Sequence, residues 1–531
     1  MMKLVNRCAV AVLFSTLCLP AVARTHHRKH KPKPLKVQVA TLLKDPAVSR
    51  AHWGIYVTQM DGKPIYAMNE AQLFQPASNN KMFTTATALA LLGPTATYET
   101  RIVARGAFNG PAKLTGNVVL VGAGDANLSG RTLPYVEPAD RPTPAPPVPD
   151  PLRYLAQMAD QVAATGLKVV NGDVVGDDTL FPWEPYAEDW TIDDAVWGYG
   201  APVSALTIND NQIKVTVAPG DAAGKPATLT LSPAVSYYKI DFSVTTGAAK
   251  SARSVQMERM PGSKDLRIYG SIAVDAEPDV EDIAIQDPAE YAALALRAML
   301  EARGIEVTGK ARAEHRLSTD TQGLLAVSSQ PVADLTQRAT APAANPAEKL
   351  LASHTSPTLE ENMVVTNKVS QNLHAELFLH HLGVAVLGDG SIAGGARVVR
   401  AFLTGSVGID PDDFIFFDGS GLSGHDLVTP RAAAKLLQYA TTQPWFADWK
   451  RSLPIGGEDG TLAERFPKPP LKDHLFAKTG TLGEARALSG YLECASGKTV
   501  IFSIMVGNHT PRTHADRDVM DKIVAAIAET N

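Results

Sequence analysis

Three short groups of residues carry side chains suited to acyl transfer. The first is Pro76-Ala77-Ser78-Asn79-Asn80-Lys81, where an apolar run reading as a helix begins. Residues three apart on a helix are neighbours, so the Ser78 hydroxyl and the Lys81 amine can meet. A serine attacks only when a base removes its proton. A lysine serves as that base only when burial, a second cation or the positive end of a helix lowers its pKa. The second group is Ser370-Gln371-Asn372, inside a stretch patterned as helix, and the third is Lys478-Thr479-Gly480-Thr481, patterned as a strand. Taken singly, each group is also an ordinary helix start, a polar patch on a helix face or an exposed strand. Their occurrence together and in this order along one chain, Ser-x-x-Lys, Ser-x-Asn, Lys-Thr-Gly, weighs far more than any of them alone.

The elements that must position these groups can be read from period and punctuation. Residues 52–69 read as a hairpin about Asp61-Gly62, followed by a helix over 78–92 that stops at Gly93-Pro94. Strands are expected at 101–108 and 116–122, and helices at 152–165 and 288–304. Between 209 and 275, β-branched runs alternate with Gly/Pro turns, the pattern of a small all-β unit. Residues 133–151 contain eight prolines and read as an exposed, extended segment. Helices are expected at 358–382, 392–404 and 430–441, then two strands and a helix over 513–529 with Val519, Ile523 and Ile527 on one face. The expected fold is α/β (α+β): an antiparallel sheet flanked by helices and interrupted by a β-rich insertion. The expected divisions are 37–106 with 335–531 as the catalytic body, 107–208 with 276–334 as an inserted domain, and 209–275 nested within it.

The N-terminus reads as an export address. Lys3 and Arg7 precede a short apolar run, and Ala21-Val22-Ala23 suits cleavage, so 1–23 is expected to be a signal peptide. Residues 24–36 carry six Lys/Arg and three His. They read either as a disordered basic leader or as a segment drawn to an anionic surface. Without the first 23 residues there are 48 basic and 55 acidic side chains, a balance that argues against a nucleic-acid binder. Three cysteines are too few for a disulfide scaffold or a Cys-based zinc site, and no His pair has the HExxH spacing. No metal or other cofactor is expected. The expected location is periplasmic, soluble or peripherally attached.

With these motifs in place, the chain resembles the D-alanyl-D-alanine carboxypeptidase/endopeptidases of the penicillin-binding protein 4 type, peptidase family S13, over residues 40–531. The stretches GDDTLFPWEPYAEDWTIDDAVWGYGAPVSALTINDN at 176–211, FFDGSGLSGHD at 416–426 and LPIGGEDGTLAERF at 453–466 add to the likeness. Ser78 and Ser370 lie 292 residues apart, room for the two inserted domains of that family. The resemblance implies a penicillin-binding, serine β-lactamase-like transpeptidase fold acting on peptidoglycan stem peptides, with β-lactams as covalent inhibitors. It implies that Ser78 is the nucleophile, Lys81 its base and Lys478 the cation that keeps Lys81 proton-free. Ser370 relays a proton to the leaving amine, while Asn372 holds the substrate amide and steadies Lys81. Lys478, Thr479 and Thr481, on the Lys-Thr-Gly-Thr segment with Gly480, bind the terminal carboxylate. The backbone N–H groups of Ser78 and Thr481 form the oxyanion hole. His380 and His381 are expected at a helix end, and His425 has no assigned role. The family pattern D-G-S-G-L-S-R-x-N is broken at Gly424 and Asp426, where Arg and Asn are usual, which bears on side-chain preference. A β-lactamase or esterase of the same fold, or a non-catalytic wall-binding scaffold, are the alternative readings.

Overall fold

The computed structural model describes residues 32–340, 345–510 and 513–531. The expected signal peptide and most of the basic leader lie outside the described residues. A five-stranded antiparallel sheet runs in the order Leu475–Thr481, Arg486–Glu493, Thr499–Gly507, His52–Gln59, Pro64–Met68. Its strands are built for burial on both faces. Leu488, Leu492, Phe502 and Ile504 pack with helix Ala515–Thr530 on one side, whereas Ala487, Tyr491, Ile501 and Met505 pack towards the helices on the other. This is the two-residue alternation of a pleated strand. The second layer consists of helices Asn80–Leu92, Leu359–Lys368, Asn372–Leu387, Ile392–Phe402 and Pro430–Ala440. The hairpin and helices expected from the sequence stand close to their expected positions.

The insertion is rooted where Tyr98 and Ser356 exchange backbone and side-chain hydrogen bonds. From there Glu99–Phe108 pairs antiparallel with Glu348–Thr355 and with Lys113–Val121. The expected break at 106/107 therefore falls inside a strand, and the return at 335 precedes the last strand of the inserted sheet. Periodicity marks a strand but does not say which sheet it joins; that is decided by pairing across more than 200 residues. The nested β unit likewise runs past 275, because Asp279–Ala284 pairs with Gln212–Ala218. It shares one apolar core with helices Arg153–Ala164 and Pro288–Ala302.

The 358–382 helical stretch is two helices. Leu359–Lys368 ends, Ser370 adopts a positive φ of 63°, and the Gln371 side chain accepts the Leu373 N–H to start Asn372–Leu387. A non-glycine residue in the left-handed region is unusual and marks a turn imposed by its surroundings. His380 and His381 are buried in the middle of the second helix, not at its end.

Candidate active site

The nucleophile turn is a short 3-10 segment, Ala77–Asn79, feeding directly into helix Asn80–Leu92. Ser78 sits half-buried on it, and the fully buried Lys81 amine lies 3.0 Å from Ser78 Oγ. Two further oxygens take Lys81 Nζ, Asn372 Oδ1 at 2.6 Å and the Ser420 carbonyl at 2.7 Å. Neither of these can donate a proton. A neutral amine must therefore spend its two N–H groups on them, leaving its lone pair facing the Ser78 hydroxyl. Asn372 is held in that orientation because its Nδ2 donates to the Tyr199 carbonyl at 2.8 Å. Tyr199 belongs to the insertion, so the inserted domain helps to orient the group that holds Lys81 Nζ.

Ser420 is held from below. The Asp418 carboxylate accepts the backbone N–H groups of Ser420, Gly421 and Ser423 at 3.0, 2.6 and 2.7 Å, and the Trp190 indole N–H at 2.9 Å. Glu376, one turn after Asn372 on the same helix, accepts the Gly419 N–H at 2.9 Å. This loop presses on the nucleophile turn: a Cβ on Gly421, whose φ is 81°, would stand 1.8 Å from the Ala77 carbonyl oxygen.

On the opposite wall, the edge strand Leu475–Thr481 brings the fully buried Lys478 to 2.9 Å from Ser370 Oγ. The strand is tied to the nucleophile turn by the Asn79 amide, which donates to the Lys478 carbonyl at 2.8 Å. Gly480 allows this approach, since a Cβ there would lie 2.4 Å from the Pro76 carbonyl oxygen. Thr479 Oγ1 meets Thr461 Oγ1 at 2.7 Å, and Thr481 is exposed at the strand end. Ser78, Lys81, Ser370, Asn372, Lys478, Thr479, Gly480 and Thr481 thus stand on neighbouring elements around one cleft.

The electrostatics differ from the expectation in their cause. Burial lowers the Lys81 pKa to about 8, against the opposing pull of Asp418, Glu376 and Asp426. Burial likewise pushes Lys478 well below the usual lysine value, and the charge of Lys81 pushes it further. Desolvation, rather than the Lys478 charge, is thus the main force discharging Lys81. Behind Lys81, burial pushes Glu376 up to about 8, and burial with the neighbouring Asp418 holds Asp426 well above the carboxylate range. Asp426 fills the place of the usual Asn as a neutral acid would. Its oxygens accept from Phe417 N at 2.6 Å and Asn80 Nδ2 at 3.0 Å. At Gly424 a Cβ would meet Asp189 Oδ2 at 2.7 Å, and His425 lies 3.9 Å from Asp189 at the exposed rim.

Sequence reasoning did not assign roles to Tyr199, Glu376, Asp418, Ser420 or Thr461. The Asp-Gly-Ser-Gly run carries a turn signal that points to Asp418. A backbone carbonyl such as that of Tyr199 leaves no trace in residue type.

The D-Ala-D-Ala carboxypeptidase 3 (S13) family model matches residues 35–345 and 336–530. A D-alanyl-D-alanine carboxypeptidase of Actinomadura sp. (strain R39) is 32% identical over 507 residues, covering 93% of this chain and 84% of that protein. The D-alanyl-D-alanine carboxypeptidase DacB of Haemophilus influenzae is 24% identical over 446 residues, 83% of this chain and 82% of that one. The solved structure of penicillin binding protein 4 (dacB) from Haemophilus influenzae has a TM-score of 0.74 at 22% identity, covering 92% of this chain and 98% of that one, and so shares the fold. The matched span contains all three motifs and the insertion between them, and the chain belongs to the D-Ala-D-Ala carboxypeptidase (S13) family of serine peptidases.

Proposed function

We propose that the chain is a serine D-Ala-D-Ala carboxypeptidase of peptidoglycan stem peptides that also opens D-amino-acid cross-links, working through an acyl-enzyme on Ser78. The observation that carries this reading is the Lys81 amine, dry, 3.0 Å from Ser78 Oγ and, among the described residues, bonded otherwise to two obligate acceptors. Neutral Lys81 takes the Ser78 proton as Oγ attacks the carbonyl before the terminal D-alanine. The oxyanion is met by the backbone N–H groups of Ser78 and Thr481, each worth about 3–4 kcal/mol by analogy with other acyl enzymes. As the tetrahedral intermediate collapses, the C–N bond breaks. The leaving amine receives, through Lys478 and Ser370, which stand 2.9 Å apart, the proton that Lys81 took from Ser78. Lys478, Thr479 and Thr481 hold the departing carboxylate, and Asn372 takes the substrate amide. Water then attacks the ester as the again neutral Lys81 takes its proton and hands it to Ser78 Oγ, so that the ester bond breaks and Ser78 is freed. A β-lactam enters by the same acylation and stalls at the ester.

An exported, periplasmic location agrees with the leader-like N-terminus and with such a substrate. Labelling by a fluorescent penicillin tests the acyl-enzyme: the chain is expected to form a covalent adduct that Ser78→Ala abolishes. Labelling that persists in Ser78→Ala would remove Ser78 from this role. Mass analysis of cross-linked muropeptides after incubation shows which bonds are cut. Rapid turnover of penicillin would instead favour a β-lactamase.

A further inference from the structure

A third fully buried lysine lies close to the site and takes no part in the chemistry above. Lys368 ends the helix before Ser370, is completely shielded from water, and forms an ion pair with the equally buried Asp459. An ammonium placed in a dry interior is costly, and its pairing with a carboxylate only partly offsets that. Isolated from any catalytic contact, such a pair calls for an explanation in what it holds together.

Lys368 and Asp459 stand on the two segments that present opposite sides of the cleft. Two residues after Lys368 comes Ser370, in its left-handed conformation with φ 63°. Two residues after Asp459 comes Thr461, whose hydroxyl lies 2.7 Å from that of Thr479 on the Lys-Thr-Gly-Thr strand. The segment between is braced on that strand: Asp459 Oδ1 accepts the Ile455 N–H at 2.8 Å, Gly456 N donates to Leu475 O, and Ala477 N donates to Pro454 O. The two segments approach so closely that a Cβ on Gly460 would lie 2.5 Å from the Lys368 carbonyl oxygen. A third segment closes the pair. Glu137 Oε2 stands 3.9 Å from Lys368 Nζ, and the Tyr135 ring lies 5.8 Å from it. Both belong to the proline-rich stretch of the insertion.

We propose that Lys368 is a positioning residue which, through Asp459, fixes the distance between Ser370 and Thr479, and that Glu137 of the proline-rich segment locks this pair from the inserted domain. The device sets the spacing between the group that protonates the leaving amine and the group that binds its carboxylate. This rests on the reading of Ser370 and Thr479 given above. Covalent labelling of the unaltered chain tests that reading, and the variants below test the inference.

The experiment measures D-alanine release from a D-Ala-D-Ala peptide, the second-order rate of penicillin acylation and the melting temperature. The variants are Lys368→Met, Asp459→Asn, their combination, and Thr461→Val. Loss of the Lys368 charge leaves Asp459 buried without a cation, and loss of the Asp459 charge leaves Lys368 with only the more distant Glu137, so both single variants are expected to melt earlier. The double variant removes both charges and is expected to recover much of the melting temperature. Its kcat and acylation rate are expected to stay roughly 100-fold down, with KM changed far less, because a displacement near 1 Å has that cost in a positioned site. Thr461→Val alters an exposed side chain, so it keeps the fold, and it is expected to lower kcat in the same direction. If the double variant regains wild-type kcat along with its stability, or if Thr461→Val leaves kcat and acylation unchanged, the inference is overturned. Should the Lys368 and Asp459 variants fail to fold, Thr461→Val and a further variant, Glu137→Gln, decide: wild-type kcat in either overturns it, and a drop in both supports it.

Discussion

In the proposed reaction Lys81 acts as a base only when it has lost its proton, and its pKa of about 8 sets where that happens. Penicillin acylation is expected to rise with pH along a limb with its midpoint near that value, and Lys81→Ala to lose acylation at neutral pH. Asn372→Asp tests the electrostatics directly. A carboxylate at the atom now 2.6 Å from Lys81 Nζ stabilises the ammonium, so the ascending limb should move to higher pH by about one unit or more. A stopped-flow pH profile reads the shift. Glu376 gives the complementary prediction for stability. Its folded pKa, about 8, lies above the ordinary value of 4.5, so the folded state holds the proton more tightly than the unfolded one. Its contribution is therefore complete below the ordinary value and is lost as the pH rises through about 8. Glu376→Gln keeps a neutral side chain throughout. The stability of the variant relative to the parent, measured by urea unfolding, is expected to improve as the pH climbs across that window.

At the level of elements, what could be read in advance follows from which signals are local. Helix Asn80–Leu92, the 52–68 hairpin and helix Pro288–Ala302, with Asp287 as N-cap and proline at its first turn, all carry their own start and stop signs. The break at Ser370 carries none. Its cause is tertiary: the Lys368–Asp459 pair, the close passage of Gly460 and the Lys478 contact together outweigh the helical pattern. The Ser, Lys and Asn side chains of the three motifs were legible because acyl-transfer chemistry demands those types. The carbonyls of Tyr199 and Ser420 were not, since any residue supplies one. Gly421 was visible only as a turn residue, although its chief service is proximity to Ala77. Gly421→Ala forces a Cβ into the Ala77 carbonyl and should lower acylation roughly 100-fold by shifting the nucleophile turn. A variant that acylates at the parental rate would show that the turn tolerates the displacement.

For the whole molecule, the insertion and the catalytic body form one coupled unit. Besides the Tyr199–Asn372 contact, Asp210 of the nested region reaches His374, two residues after Asn372, at 3.0 Å and pairs with Arg131. Arg131 and His374 hold Asp210 well below the usual carboxylate range despite its burial. Asp210→Ala leaves a buried histidine and a largely covered guanidinium without their anion, and is expected to cost about 3 kcal/mol in denaturant unfolding. Domain limits were the least legible feature at this scale. The stem of the insertion is a strand pair joining residues 99–108 to 348–355, and no local pattern announces a partner so distant.

The order of the central sheet has a consequence for biosynthesis. Strand His52–Gln59 is made long before its neighbour on the Lys-Thr-Gly-Thr side, Thr499–Gly507. Until then one hydrogen-bonding edge of an apolar ribbon waits unmatched, a state prone to adventitious pairing with other chains. Lys478 cannot take its place beside Ser370 any sooner. A polypeptide cut short of Thr499–Gly507 is consequently expected to be inert, hydrolytic competence arriving only once that strand has paired.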